Sequence, residues 1–380
     1  MKYLMTGLLG VWFGFTSALA QDQEQINNLA NRLKEGDGRV AALLVKHGGA
    51  AVPALVGVLK EGNAFAKGHA ASALGQIGPA AKEAVPALRK ALSDDDSVVG
   101  AQASVALGQI GPAAVAELVE ALKSSNEKVR ALAARAVKAI GPPAKAAVPV
   151  LVKALADSKN PQERLALVDA LGQIGSEARE AVPLLIKLYQ EKDRPVHAGI
   201  HIVVALGNIG PAAKDAGPLL LDILQAKESQ QVPLRFHALE ALAQIGPVSK
   251  ESMPALFNAL KEMPATLRVK MLDSMSKAGP LAAEAKPLLL ESMRDANPLI
   301  RVYAARLLGL SEPNDLTVVS ILIESLREKD PKVRRLAAES LGVVRPRDES
   351  VIEALQESAR DQDESVRQAA LQALAKFKKK

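Results

Sequence analysis

The 380-residue chain contains no cysteine, which removes disulfides, thiolate metal sites and cysteine nucleophiles at once. Aromatic residues make up only 3% of it, too few to give a platform on which bases or sugar rings stack. Three catalytic signatures are missing as well. There is no phosphate-binding glycine loop, no Gly-x-Ser-x-Gly elbow and no His-Glu-x-x-His. Charge of one sign is scarce: the formal net charge is +6, or +5 without Lys2, which favours solubility more than it argues for nucleic acid. Nothing alternates as a strand would. What is present is a 48% hydrophobic content, carried mostly by Ala and Leu, which suits close helix–helix packing.

The chain writes one stretch repeatedly. Leu74-Gly75-Gln76-Ile77-Gly78-Pro79-Ala80 returns at Leu107–Ala113, and its first five residues return at Leu171–Gly175. Weaker copies sit at Ala139–Pro142, Leu206–Pro211, Leu242–Pro247 and Ala278–Pro280. With Gly78, Gly111, Gly141, Gly175, Gly210, Gly246 and Gly279 as markers, the steps are 33, 30, 34, 35, 36 and 33 residues. Two further steps of 33 reach Glu312-Pro313 and Arg345-Pro346. A fixed period in this range marks stacked supersecondary units, so the length describes one continuous array and not several globular domains.

Residues 1–20 differ from the rest. A basic start at Lys2, an apolar run over Leu4–Phe15 and the small-x-small site Ala18-Leu19-Ala20 read as a signal peptide. Cleavage near Ala20 would leave Gln21 as the mature start and place the chain outside the cytoplasm, in a periplasm or secreted, with no membrane span in the mature form. An uncleaved anchor is the alternative. Residues 21–37 follow as an N-terminal capping helix with Ile26, Leu29 and Leu33 inward, and residues 38–380 form the array.

Each unit from Asn63 onward holds two helices, A and B. Asn63, Asp96, Asn126, Asn160, Asn297, Asp330 and Asp363 are the expected N-caps of helix A, since Asx side chains accept from free first-turn N–H groups. The marker Gly-Pro ends helix A, with Gly in the left-handed conformation and Pro forbidding continuation. A second Pro, as in Val85-Pro86 or Val148-Pro149, opens helix B. Leucines two and six residues later, such as Leu88 and Leu92, face the core. The fold class is all-α, an α-α superhelix of the HEAT or armadillo-like kind with about ten helix pairs.

Pro-opened B helices and the motif V-R-x-x-A-A-x-x-L-G resemble the HEAT repeat, more narrowly the HEAT-like repeats named after the phycobilisome bilin lyases. Val129-Arg130 with Ala133-Ala134, and Val333-Arg334 with Ala337-Ala338 and Leu341-Gly342, carry the resemblance. Val366-Arg367 with Ala369-Ala370 carries it as well, and it covers about residues 38–377. It implies a structural ladder eleven residues before each marker: Arg130, Arg164, Arg235, Arg268, Arg301, Arg334 and Arg367, with Lys67 substituting. By the family's geometry these bond Asx residues or carbonyls of the turns in the next unit. Gly100 and Gly199 interrupt the ladder. Either it stops there, or something approaches the backbone closely.

Two rows of side chains are candidates for binding. His201, His237, Lys270 and Tyr303 share one register position on successive A helices, nine before their markers. On the B helices the outward row, four after the opening Pro where there is one, reads Gly57, Lys90, Glu120, Lys153, Lys187, Asp222, Asn258, Glu291, Glu324 and Glu357, so basic residues predominate early and acidic ones late. The resemblance puts the B row on the concave face. The late acids are expected to pair with Arg294, Arg327 and Arg360 of their own helices, leaving the early lysines for an acidic partner. His197 and His201 share a helix face, yet no third ligand stands at an obvious spacing, so no metal, cofactor or catalytic residue is expected.

The function that follows is a non-catalytic scaffold or adaptor binding a protein or peptide on its concave face. A bilin-lyase-like enzyme, or another enzyme with an unrecognised pocket, is the alternative. A nucleic-acid-binding HEAT protein, like the DNA-repair glycosylases of this architecture, comes third. It is disfavoured by the alternating signs on helix B.

Overall fold

A computed structural model describes residues 21–192, 194–225, 232–245, 260–261, 264–278 and 286–378. Residues 1–20, read above as a signal peptide, and the junctions at Gly246 and Gly279 lie outside them. So do Pro254 and Asn258. The described residues contain no strand. The chain forms two compact units, Met1–Leu188 and Tyr189–Lys380.

Helix A is set by its ends. In the first unit the A helices are Ala64–Ile77, Ser97–Ile110, Glu127–Ile140 and Pro161–Ile174. In the second they are Val196–Ile209, Val232–Ile245, Ala265–Ala278, Pro298–Gly309, Pro331–Val344 and Glu364–Lys378. Each of the seven expected Asx caps accepts from a first-turn amide; Asn63 Oδ1 takes the Ala66 N–H at 2.9 Å and Asp96 Oδ1 takes Val98 at 2.7 Å. At the other end Gly78, Gly111, Gly141, Gly175 and Gly210 all have φ between 68° and 86°. Their ψ values lie near −140°, however, not near the +45° of the left-handed helix. This mirror-β conformation is open to glycine alone, and it turns the chain directly into the next element. Arg345, which stands where glycine stood earlier, is the left-handed cap, at φ 52° and ψ 59°.

That next element was not legible as helix. Gly78–Ala84, Pro142–Ala147, Gly175–Ala181 and Gly210–Ala216 are 3-10 segments, each kinked at a buried alanine: Ala81, Ala144, Ala178 or Ala213. Alanine fits because a larger side chain would have to enter the A–B junction. Helix B then opens at its proline, as in Val52–Glu61, Val85–Ala91 and Val148–Asp157, where the missing N–H costs nothing. Leu88, Leu92, Leu118, Leu151, Leu155 and Leu220 are all buried. At about 25 cal/mol per Å² of apolar surface removed from water, such a repeated leucine seam is the main stabilising contribution.

The described chain begins in helix, over residues 21–34, with Ile26, Leu29 and Leu33 buried as the spacing predicts. Lys34 reaches Glu61 at 2.6 Å and Asp22 reaches His47 at 2.9 Å, so this helix lies over the irregular first pair. Two stretches, Ser97–Leu122 and Val196–Leu224, are apolar and long enough to cross a membrane by composition. Each is in fact an A and a B helix broken by a glycine at positive φ, Gly111 or Gly210, with half of the apolar window buried against neighbours.

Candidate functional site

Which side of the array is the narrow one follows from the small residues of helix A. A Cβ built at Gly75 would stand 2.9 Å from the Ala106 Cα, and one at Gly342 equally close to the Ala373 Cα. At Gly207 the Ala241 Cα would be 2.8 Å away, and at Gly108 the Ala139 Cβ would be 2.7 Å away with the Ala136 carbonyl oxygen at 3.5 Å. Neighbouring A helices thus stack backbone to backbone, while neighbouring B helices touch sparsely. A double row of helices bends toward its more closely spaced side. Within each unit the A helices therefore line the inner face. This corrects the expectation that the B row is concave: Lys90, Lys153 and Lys187 lie on the wider side.

The ladder arginines hold the turns between repeats. Arg334 donates from Nη1 to the Glu328 and Lys329 carbonyls at 2.8 and 3.0 Å, and grips Asp361 through Nε and Nη2 at 2.7 and 2.9 Å. Arg301 repeats the arrangement on the Asp295 and Ala296 carbonyls and Glu328. Arg268 reaches Asp295, and Lys67 reaches Asp94. Arg367 binds the Asp361 and Gln362 carbonyls, and Arg164 and Arg235 also have interaction partners. The carbonyls belong to the arginine's own unit, not the next, and the acids stand two residues before the Asx cap. Asp94, Asp295 and Asp361 each accept the N–H of that cap too. At Arg130 the acid is the buried Glu163, gripped at 2.5 and 2.9 Å and held from behind by the Ser158 hydroxyl. The Arg334 hydrogen bond holds the Asp361 carboxyl below the usual carboxylate range. For Asp94 burial pushes upward, but the Lys67 bond and the Asp96 amide bring the carboxyl down.

Both gaps in the ladder are filled. At Gly199 the Arg194 guanidinium occupies the slot, with Cζ 2.8 Å from where a Cβ would be. It donates to the Tyr189 carbonyl at 2.7 Å and lies 4.0 Å over the Tyr189 ring. At Gly100 the Leu132 side chain comes to 3.2 Å and the Leu92 carbonyl to 3.3 Å, and the Ser104 hydroxyl donates to the Leu132 carbonyl. Close approach, by the protein's own groups, is what the two glycines permit.

The A-face row is in register, but its members are engaged locally. His237 Nδ1 is 3.3 Å from Glu240 on its own helix, His201 has a partner of its own, and the Lys270 side chain lies outside the described residues. Tyr303 is hydrogen-bonded to Asp273 of the preceding A helix; burial first, and that carboxylate next, push its phenol up to about 12. Because the folded value lies above the ordinary 10.0, the stabilising effect is full below that pH and lost as pH rises toward 12. Spectrophotometric titration is expected to show a tyrosinate step near pH 12 that a Tyr303→Phe chain lacks. A step near 10 from this residue would refute the Asp273 contact. Among the described residues no three His, Asp or Glu side chains are grouped to hold a metal ion.

On the B side Lys90, Lys153 and Lys187 are exposed, and none is within ion-pair distance of an acid among the described residues. Two of the three late acids are paired, though not within their own helices as expected, and Glu324 is exposed and in no ion pair among the described residues. Glu291 takes Lys261 at 2.6 Å and Glu357 takes Arg327 at 3.4 Å, each from the preceding repeat. Sparse contact between B helices leaves room for such bridges.

Repeated A and B helices, most A helices opened by an Asx cap and most repeats tied by a ladder cation, define an all-α helical-repeat solenoid. The chain belongs to the HEAT repeat family, whose pattern matches residues 26–108, 52–138, 85–161, 115–200, 148–233 and 285–375. No curated protein matches the sequence. Among solved structures, importin beta is 16% identical over 94% of this chain and 56% of its own, with a TM-score of 0.55. Kap95p, in a complex with RanGDP, is 14% identical over 93% and 56%, with a TM-score of 0.57. The CpcE–CpcF complex of phycocyanin lyase from Nostoc sp. PCC7120 is 23% identical over 60% and 94%, with a TM-score of 0.36. The chain spans a little over half the length of the importin-beta-type chains, and the likeness is one of fold.

Proposed function

We propose that this protein is an exported, non-catalytic adaptor that binds a protein or peptide partner through surfaces contributed one side chain per repeat, its concave face among them. The observation that carries the reading is the exposure of Lys90, Lys153 and Lys187 on three of four consecutive B helices, in no ion pair among the described residues, while Glu120 between them is paired with Lys123 and the late acids Glu291 and Glu357 are paired too. Unneutralised lysines in one row attract an acidic partner and steer its approach. The likeness to importin-beta-type scaffolds supports a binding role; the apolar run of residues 1–20 supports export.

Affinity capture from the extracytoplasmic fraction tests this, comparing wild type with Lys90→Glu/Lys153→Glu/Lys187→Glu. A partner held by wild type and released by the triple variant, at unchanged helical content, is the expected result. Retention by the variant would remove the lysine row and shift the site to the A-face row at His201, His237, Lys270 and Tyr303. No partner in either sample would overturn the adaptor reading.

A further inference from the structure

Three successive A helices of the first unit carry a second, different surface. Register positions thirteen, ten and six before each marker share one face, because they are three and four residues apart. On Ala64–Ile77 they are Phe65, Gly68 and Ser72; on Ser97–Ile110, Val98, Ala101 and Val105; on Glu127–Ile140, Lys128, Ala131 and Arg135. The middle position is small every time, and nothing lies within 4 Å of a Cβ built at Gly68. The result is a trough running across the helices, floored by Gly68, Ala101 and Ala131.

Its two ends differ. Phe65, Val98 and Val105 are 52%, 61% and 52% exposed, and the helix Ser97–Ile110 has no Asp, Glu, Lys or Arg at all. Large apolar side chains left in water in neighbouring positions mark interaction surfaces. Phe65 is also held in place, its ring 4.4 Å from that of His69 and its edge against Gly38. At the other end Lys128 and Arg135 are exposed and within ion-pair distance of no acid among the described residues. Of the acids nearby, Asp94 is bound to Lys67 and Asp169 to Lys138.

We propose that this trough binds an extended peptide segment of the partner, with apolar side chains over Phe65, Val98 and Val105 and carboxylates against Lys128 and Arg135. The proposal rests on the adaptor reading and names the chemistry of what is bound. Three helices 8–10 Å apart span about 20 Å, which about six extended residues cross. Charge complementarity selects an acidic segment over a basic one, and the apolar end selects against a purely acidic chain.

The probe is a fluorescein-labelled peptide of about ten residues, Leu- and Val-rich at one end and Glu-rich at the other. A matched peptide with Lys for Glu is the control, and the full chain is used throughout. The first peptide is expected to bind, with affinity falling as salt rises and at least tenfold weaker for Lys128→Glu/Arg135→Glu. Gly68→Leu, whose Cβ has no other group within 4 Å, fills the floor and is expected to abolish binding with helical content intact. Equal binding of both peptides, or no effect of either variant, would overturn the proposal. Because the chain has no cysteine, Val98→Cys carries a photo-cross-linker at a unique site. A cross-link to the added peptide supports the assignment. Cross-links into residues 1–20, or between two copies, would overturn it by showing another occupant. A native partner captured by wild type and equally by Gly68→Leu would leave the adaptor reading standing and the trough without a role.

Discussion

Arg334→Ala is expected to destabilise the protein by about 3–5 kcal/mol, the range for breaking a buried ion pair by removing one partner. Arg334 is 8% and Asp361 12% exposed, so water replaces little of what is lost. The change strands the Asp361 carboxylate and also releases the Glu328 and Lys329 carbonyls. Arg334→Lys should recover only part of the loss, because a single ammonium cannot grip both carboxylate oxygens and two carbonyls in a fixed plane. Urea unfolding followed by circular dichroism measures both. The pH dependence gives an independent check. Arg334 depresses the folded pKa of Asp361, so the pair's contribution is full above the ordinary carboxylate pKa and lost as pH falls through the folded value. Wild type should lose stability on that acid limb, and Arg334→Ala should show a flatter one. A loss within 1 kcal/mol, or an unchanged limb, would mean that the ladder is decoration.

Gly75→Leu is the second large effect. Its Cβ would stand 2.9 Å from the Ala106 Cα and strike the Gln109 side-chain oxygen, and backbone cannot rotate away as a side chain can. Overpacking of this kind costs about 1–3 kcal/mol and sometimes more, and the branched leucine belongs at the upper end. Gly68→Ala on the same helix is the control. Gly68 has nothing within 4 Å of a Cβ, so alanine should stabilise by about 0.5–1 kcal/mol through helix propensity alone. Opposite signs from two glycines seven residues apart would establish that A-helix spacing, not helix propensity, is what Gly75 protects. Matching signs would contradict the close stacking.

These expectations show how unevenly the sequence exposes the structure. The Asx caps, the proline-opened B helices and the buried leucines were legible because each is a local matter, decided within a turn or two of the residue itself. The arginines of the ladder were legible by their spacing, but their acids were not singled out. Asp94, Asp295, Glu328 and Asp361 stand two residues before a cap and 27 after their cations. That offset was present in the sequence and could have been found by looking for acids one repeat on. Arg194 filling the slot at Gly199 could not have been found, since it depends on how one turn folds back. The inner face was misplaced for a related reason. Spacing between rows is set by Gly75 against Ala106 and Gly108 against Ala139, contacts between repeats that no single-helix pattern records. Of the candidate site, register was readable and occupancy was not. The trough over Gly68, Ala101 and Ala131 escaped notice because its signal is an absence of bulk.

The ladder's reach has a consequence for how such a chain could have arisen. Arg268, Arg301 and Arg334 each bind an acid 27 residues ahead, and Arg301 and Arg334 also bind carbonyls five and six behind. No polar tie among them passes over a whole unit to the one beyond. A gene that duplicates or drops 33 residues between Asn297 and Asp330 therefore rejoins an acid, a cap and a proline of the same kinds. Length in such a lineage is inherited in whole repeats, and each new repeat brings the means of its own attachment.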